Sequence, residues 1–418
     1  MQVSASDIHH YARRLELAMT GLSEDKLVST KNKETIQSYV KFRNAEGLSV
    51  PRQVRYLFTL RKLSRLLGNQ SFETASKTDL VNVVSQIEKE NTSFDTKRTE
   101  KECIKQFYRW LKGDDEEYPA EVKWIKCNRS RKHSVLPETL LTEDEIKRMA
   151  ESCPNLRDPA LILLIYETGG RIGELLSLSV GSVAFDKYGS VLRFEGKTGS
   201  RRVRVIFSSG ALAEWLNHHP SKDNPESPLW TSFEKVGSKE RLEYGAVRRM
   251  LETAAKRCNV RKRVNPHSFR HSRASNLANV LTEAQMKEYL GWVGDSRMPA
   301  TYVHLSGRNV DNALFKLNGI KTEDEVNREE RPLRVQQCER CRLANPPTNR
   351  FCSKCGSPLD IRTALELQKE EDKTDKIMDR LFGDPRFREI VGAALRRQQQ
   401  LANSPMLAHG RVRVSADD

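Results

Sequence analysis

Four of the eight cysteines fall within eighteen positions, as Cys338-Glu-Arg-Cys341 and Cys352-Ser-Lys-Cys355. Four thiolates at this spacing close a tetrahedral Zn²⁺ site, and a module so short has little other means of building a core. Iron in a rubredoxin-like site is the alternative metal. A pair of redox dithiols would need a thioredoxin-like βαβ context, which this stretch lacks. All four ligands come from protein, so the expected zinc is structural and leaves no open position for chemistry. A contact role, to a protein partner or to DNA, is expected of the module. The remaining cysteines, Cys103, Cys127, Cys153 and Cys258, are scattered, as in a reducing compartment where isolated thiols pack as small hydrophobes.

The rest of the 418 residues is long enough for two or three domains. Lys and Arg number 71 against 56 Asp and Glu, a formal charge of +15 that favours a polyanionic partner, nucleic acid first. The longest uninterrupted aliphatic run, residues 160–165, falls far short of the ~20 residues that span a bilayer, so no membrane helix is expected. The first thirty residues carry no apolar stretch followed by a small-residue cleavage site, so no secretory signal is read there and an intracellular protein is expected.

Apolar periodicity divides the chain further. Residues 1–112 read as a helical bundle. Val54, Leu57, Phe58, Leu60, Leu63, Leu66 and Leu67 recur at three- and four-residue spacings up to Gly68. The opposite face of that helix carries Arg52, Arg55, Arg61, Lys62 and Arg65, candidate DNA contacts. Helices follow over 78–88, opened by a Thr78-Asp79 cap, and over 96–111, with Cys103, Ile104, Phe107 and Leu111 as the apolar stripe. Residues 113–135 turn from acidic to basic, with Lys126, Arg129, Arg131, Lys132 and His133, and read as a DNA-contacting interdomain connector.

A mixed domain is expected over 136–320. Thr142-Glu-Asp-Glu145 is a capping box, an apolar helix runs near 160–167, and strands over 190–195 and 201–207 flank the hairpin-like Gly196-Lys-Thr-Gly-Ser200. Helices dominate from 244 to 315. The fold class is therefore mainly α with a small antiparallel β-sheet (α+β). The cysteine module occupies 336–360, and 361–418 reads as an amphipathic helical region ending in a disordered tail. Its stripe of Ile361, Leu365, Ile377, Leu381 and Phe382 is expected to pack on the mixed domain or the cysteine module, with self-association as the alternative.

Charge is unevenly spread. Residues 361–418 hold 11 basic and 10 acidic side chains, whereas 241–273 hold 10 and 2, a net +8 within 33 positions. Such a surplus points to an anion-binding surface, with Arg248, Arg249, Arg261, Lys262 and Arg263 as candidate contacts.

Several short elements in this region bear chemistry. In Thr168-Gly-Gly-Arg-Ile-Gly-Glu-Leu, a helix is expected to begin near Arg171, where guanidinium and backbone N–H groups both favour a phosphate. Glu174, three residues on, can brace it. Pro266-His-Ser-Phe-Arg270 puts His267 and Arg270 on one helical face, which suits a phosphoryl group whose charge changes during reaction. Lys197 sits at the Gly-rich hairpin tip, within reach of a leaving oxygen. Leu290-Gly-Trp292 and Thr301-Tyr-Val-His304 complete the series. Singly, each also reads as an ordinary salt bridge, basic helix, solvated lysine or packing aromatic.

In this order, over 136–318, these motifs resemble the tyrosine recombinase family, also called phage integrases. The resemblance extends loosely over 1–112 as a helical core-binding (SAM-like) domain. The appended zinc ribbon is reminiscent of archaeal integrases. The resemblance implies that Tyr302 attacks a phosphodiester to give a 3′-phosphotyrosyl link, without ATP or metal. Arg171 and Arg270 would hold the non-bridging oxygens, Lys197 would protonate the leaving 5′-oxygen, and His267 would act as general acid/base near the tyrosine. Trp292, where the family usually has a second histidine, would donate its indole N–H, and Glu174 would brace the site from behind. The partner implied is double-stranded DNA bound by a homotetramer on two recombining sites, in a prokaryotic, nucleoid-associated setting. Trp292 and Tyr302 stand one residue further apart than is usual in bacterial members, and Tyr289 is the nearest competing tyrosine. The rival readings are a type IB topoisomerase-like nicking activity and a non-catalytic zinc-ribbon regulator.

Overall fold

The computed structural model describes residues 10–113, 117–128, 137–196, 199–233, 240–296, 298–305, 318–319 and 333–402. The chain divides into two units, Met1–Pro332 and Leu333–Asp418. Among the described residues no helix is long and apolar enough to cross a membrane.

The first unit opens with helices α1 (Tyr11–Ser23), α2 (Thr30–Ala45), α3 (Val50–Leu67), α4 (Lys77–Lys89), α5 (Phe94–Lys112) and the single turn α6 (Ala120–Lys123). Their apolar faces meet in one core, in which Leu22, Ile36, Tyr39, Leu57, Leu60, Phe72, Leu80, Ile104 and Phe107 are fully buried. Each such side chain contributes about 1.5–3 kcal/mol. Ser29 and Ser93 cap α2 and α5 through N–H groups of the first turn. The cap of α4 is Ser76 in a reciprocal box with Asp79, not Thr78 as the sequence reading has it. The box needs its carboxylate three residues after the hydroxyl, a spacing that Ser76 has to Asp79 and Thr78 does not. The two helices before α3 were not separated in the sequence reading, because their polar residues blur the stripe.

The cationic face of α3 is partly committed to this bundle. Arg61 and Arg65 both bond the carboxylate of Asp25, whose side chain is only 3% exposed. Lys62 bridges Glu90 and Glu100, each at 2.7 Å. Arg52 and Arg55 are exposed. Burial alone would raise the pKa of Asp25, but hydrogen bonds from Arg61, the Leu27 N–H and Arg65 outweigh it and hold the carboxyl at about 2, below its usual 3.8. A depressed carboxyl stabilises the fold above its unfolded pKa and loses that effect as pH falls toward the folded one. Denaturant titrations should therefore find wild type more stable than Asp25→Asn by about 2 kcal/mol at pH 6, and that difference should shrink by pH 3.

A second core begins at α7 (Glu143–Glu151), capped by Thr142 and Glu145 as the sequence predicts. Helix α8 (Arg157–Thr168) is buried on nearly every side, so its apolar run reads as continuous rather than striped. It ends at Gly169, in the left-handed conformation (φ 53°), and the short α9 (Ile172–Ser177) follows. Strands β1 (Val183–Asp186), β2 (Gly189–Gly196) and β3 (Gly199–Val205) form an antiparallel meander in that order. Phe194 pairs with Arg201 and Gly196 with Gly199. Strand β1 escaped the sequence reading because its four residues are largely exposed and show no alternation. Helices α10 (Ser209–Asn217), α11 (Tyr244–Arg257), α12 (Pro266–Ala278), α13 (Glu283–Leu290) and α14 (Met298–Leu305) complete the unit, with α12 packed on α8, α13 and α14.

The second unit holds β4 (Gln336–Gln337) and β5 (Ala344–Asn345), antiparallel, followed by α15 (Ile361–Gly383) and α16 (Pro385–Ala402). The two cysteine turns share one geometry. Arg342 N–H bonds Cys338 O and Gly356 N–H bonds Cys352 O, with Arg342 and Gly356 both at positive φ (60° and 70°). Along α15, Ile361 is 80% exposed, and Leu365 and Ile377 are 57% exposed. The expected tail beyond residue 402 lies outside the described residues.

Candidate active site

Helix α12 organises the site. Pro266 presets its first turn, and Asn265 caps it by accepting from Ser268 N–H. Arg270, on the buried face, donates to Gly169 O at 2.7 Å and Leu290 O at 2.9 Å, tying together the ends of α8 and α13. Burial, then the positive charge of Arg171, pushes its pKa down to about 10. Its guanidinium also lies 5.5 Å from the Trp292 ring.

Arg171 is half-exposed at the start of α9. Its side chain donates to Glu174 Oε1 at 3.0 Å and to Gly291 O at 3.1 Å. The backbone N–H of Arg171 donates to Glu174 Oε2 at 3.1 Å. Burial raises the Glu174 pKa, but the bonds from Arg201 and Arg171 prevail and hold it below its usual range.

Trp292 follows Gly291, which ends α13 at φ 64°. The positive φ favours glycine at 291, and a Cβ there would lie 2.6 Å from the Arg201 guanidinium and displace it. The Trp292 ring stacks on Tyr302 of α14, with centroids 5.6 Å apart and planes 9° apart. The longer interval between the two residues therefore still lets the rings meet face to face. Tyr302 is 2% exposed, and its hydroxyl lies 2.6 Å from His271 Nδ1. Burial raises the Tyr302 pKa, with Arg270 opposing.

The competing Tyr289 is engaged elsewhere, donating its hydroxyl to Glu167 O and Arg204 O, and burial pushes its pKa up to about 12. His267 is exposed on the first turn of α12. Lys197, Arg129, Arg131, Lys132 and His133 lie outside the described residues, while Lys126 is exposed. The described residues of the predicted set thus bring Arg171, Glu174, Arg270, Trp292 and Tyr302 together around the α12–α13 junction.

Three residues absent from the sequence reading contribute. His271 touches the tyrosine hydroxyl, and its signal was available: it follows Arg270 directly and stands at i+4 from His267. Arg201 donates to Glu174 Oε2 at 2.7 Å, with its guanidinium 4.9 Å from the Phe194 ring centroid. It shares the inward face of β3 with Val203 and Val205, so a charge at an inward strand position was the clue. The buried carboxylate of Glu167 accepts from the N–H groups of Ile206, Phe207 and Ser208 and from the Ser208 hydroxyl, fixing the end of β3 to α8.

The basic patch over 241–273 is also partly structural. Arg241 donates to Leu176 O and Leu178 O, Arg273 to Glu167 O, and Lys262 to Leu140 O and Glu145. Arg248 pairs with Glu252, and Arg249, Arg261 and Arg263 are exposed.

In the second unit, the sulfur atoms of Cys338, Cys341, Cys352 and Cys355 all lie within 4.8 Å of one another. Cys338 and Cys355 are 3.5 Å apart, as are Cys341 and Cys352. Tetrahedral ligands at ~2.3 Å from a metal stand ~3.8 Å apart, so this donor set fits a metal ion.

The described residues thus set a buried tyrosine against Trp292, with Arg270 beside the same indole, in a helical domain that carries a three-stranded meander. Residues 139–308 match the model of the phage integrase family. Tyrosine recombinase XerA of Pyrococcus horikoshii is 24% identical over 293 residues, covering 70% of this chain and 96% of that protein. Tyrosine recombinase XerD of Caulobacter vibrioides is 28% identical over 220 residues, 50% of this chain and 70% of that protein. The fold is shared with XerH site-specific recombinase in a post-cleavage complex with its palindromic difH substrate, at TM-score 0.51 and 19% identity over 74% of this chain and 95% of that one. It is shared too with a lambda integrase dimer bound to a COC′ core site, at TM-score 0.52 and 16% identity over 66% and 78%.

Proposed function

We propose that the protein is a site-specific DNA recombinase that breaks and rejoins strands through a 3′-phosphotyrosyl intermediate. The observation that carries this reading is the stack of Tyr302 on Trp292, with Arg270 beside the same indole. A phenol is a poor nucleophile at neutral pH, and its presence among guanidiniums has little use in a protein that only binds DNA.

In this reading Tyr302 Oη attacks the scissile phosphorus, and Arg171 and Arg270 neutralise the charge that builds on the non-bridging oxygens. Glu174 fixes Arg171, Trp292 supplies an indole N–H, and Lys197 protonates the departing 5′-oxygen. The covalent link conserves the energy of the broken ester, so rejoining needs no ATP. The exposed arginines at 52, 55, 249, 261 and 263, with Lys126, are candidate phosphate contacts. A tetramer on two sites is supported by the fold shared with a lambda integrase tetramer bound to a Holliday junction, at TM-score 0.50 and 17% identity. Zinc held by Cys338, Cys341, Cys352 and Cys355 would stabilise the ribbon, which serves contact rather than chemistry. A cytoplasmic, nucleoid-associated setting follows from the substrate.

Two assays with the purified full chain test the reading. A pair of target sites on separate duplexes should yield recombinant products. Relaxation of supercoiled plasmid without any exchange between sites would instead define a topoisomerase-like enzyme.

A further inference from the structure

We infer that His271 is the group that takes the proton from the Tyr302 hydroxyl, an assignment that rests on the strand-cleavage reading above. The carrying observation is the 2.6 Å separation between Tyr302 Oη and His271 Nδ1. The ring centroids lie 5.8 Å apart at 38°, while Trp292 covers the phenol in a parallel stack. The phenol is therefore held between an indole and an imidazole, with its hydroxyl directed at a nitrogen that can accept.

The general-base role assigned by resemblance to His267 is not matched by its position. His267 lies one turn earlier on α12, is exposed, and has no hydrogen bond to Tyr302 among the described residues. His271 is half-buried on the same helix. Burial, then the neighbouring His267 and Arg270, lowers its pKa below the usual 6.5, so the ring is neutral near pH 7. With its proton on Nε2, the Nδ1 lone pair faces the phenol. Tyr302 needs such an acceptor, because burial raises its own pKa.

The step balances. As the bond from Tyr302 Oη to phosphorus forms, the Oη–H pair supplies its electrons and the proton moves to His271 Nδ1. The bond from phosphorus to O5′ breaks with its electron pair, and that oxygen receives a proton from the general acid assigned to Lys197. Rejoining runs in reverse: the 5′-hydroxyl returns its proton to that acid as it attacks, and imidazolium His271 protonates the departing phenolate oxygen. No other reactant is consumed.

The test is single-turnover adduct formation by the full-length protein on nicked suicide duplexes. Their sequence is that of the DNA ends recovered covalently bound to wild type. One duplex carries the natural 5′-oxygen at the scissile position and the other a 5′-bridging sulfur, which departs without protonation. His271→Gln and His271→Ala should bind the duplex normally and form adduct about 10²–10³-fold more slowly. Added imidazole should restore part of the rate to His271→Ala, which a merely structural defect would not allow. The sulfur substrate should rescue Lys197→Ala but neither His271 variant, because it relieves only the leaving side. Wild-type or faster cleavage by His271→Gln would overturn the assignment, as would rescue of both variants by sulfur. If wild type holds no DNA end covalently, the strand-cleavage reading fails; if Tyr302→Phe still forms adduct, the nucleophile lies elsewhere and the proton assignment falls with it; if only the His271 variants behave as wild type, the proton assignment alone fails.

Discussion

Tyr302→Phe is expected to bind DNA with wild-type affinity and salt dependence and to leave no covalent adduct on a nicked suicide duplex. The substitution removes one oxygen and keeps the ring stacked on Trp292, so the packing of α14 against α12 should survive. The lost contact to His271 costs about 1 kcal/mol of stability at most. Phosphate contacts set the salt slope, and none is altered. Denaturing electrophoresis of labelled duplex gives the answer: a shifted protein–DNA band with wild type and none with the variant. A band that persists with Tyr302→Phe would move the nucleophile elsewhere. Tyr289 would be a poor replacement, since its hydroxyl is already donated to the backbone of Glu167 and Arg204.

Cys352→Ser is expected to abolish metal binding and with it the fold of the ribbon. Cys352 is 3% exposed, and its sulfur stands 3.5 Å from that of Cys341. The strands around this site are two residues each, too short to hold a sheet without a further tie. Binding energy for structural zinc in comparably small modules is about 10–16 kcal/mol and is at the same time folding energy. Elemental analysis of the reduced wild-type protein should find one zinc per chain, with iron as the alternative outcome and no metal as the result that defeats the proposal. Amide exchange over 336–359 should be slow in the loaded wild type and fast in the variant or after chelation.

Much of this molecule is written in local rules. Thr142 with Glu145 gives a helix start without reference to any distant residue, and the Gly content between β2 and β3 marks the hairpin. The cysteine spacing is equally local. What escaped depends on long-range geometry. Asp25 is an ordinary acidic residue in sequence, yet in the bundle it captures Arg61 and Arg65, two of the cations assigned to DNA contact. Arg241, Lys262 and Arg273 likewise donate to backbone carbonyls or a carboxylate rather than enlarging an open basic surface. A count of charges cannot separate these cases, because satisfying a carbonyl and binding a phosphate require the same side chain. His271 shows the same limit within the site: the i,i+4 pairing was visible, but which imidazole meets the phenol depends on how α14 packs on α12.

Glu174 is shared by Arg171 and Arg201, while Arg270 is satisfied by neutral carbonyls alone. Two guanidinium cations thus share a single carboxylate, and the third, Arg270, has no anion among these contacts. The folded enzyme carries a built-in cationic excess at its centre, held by hydrogen bonding rather than by neutralisation. On the strand-cleavage reading proposed above, a phosphodiester entering there would act as the absent counter-ion, relieving mutual repulsion in the same motion that brings it to Tyr302.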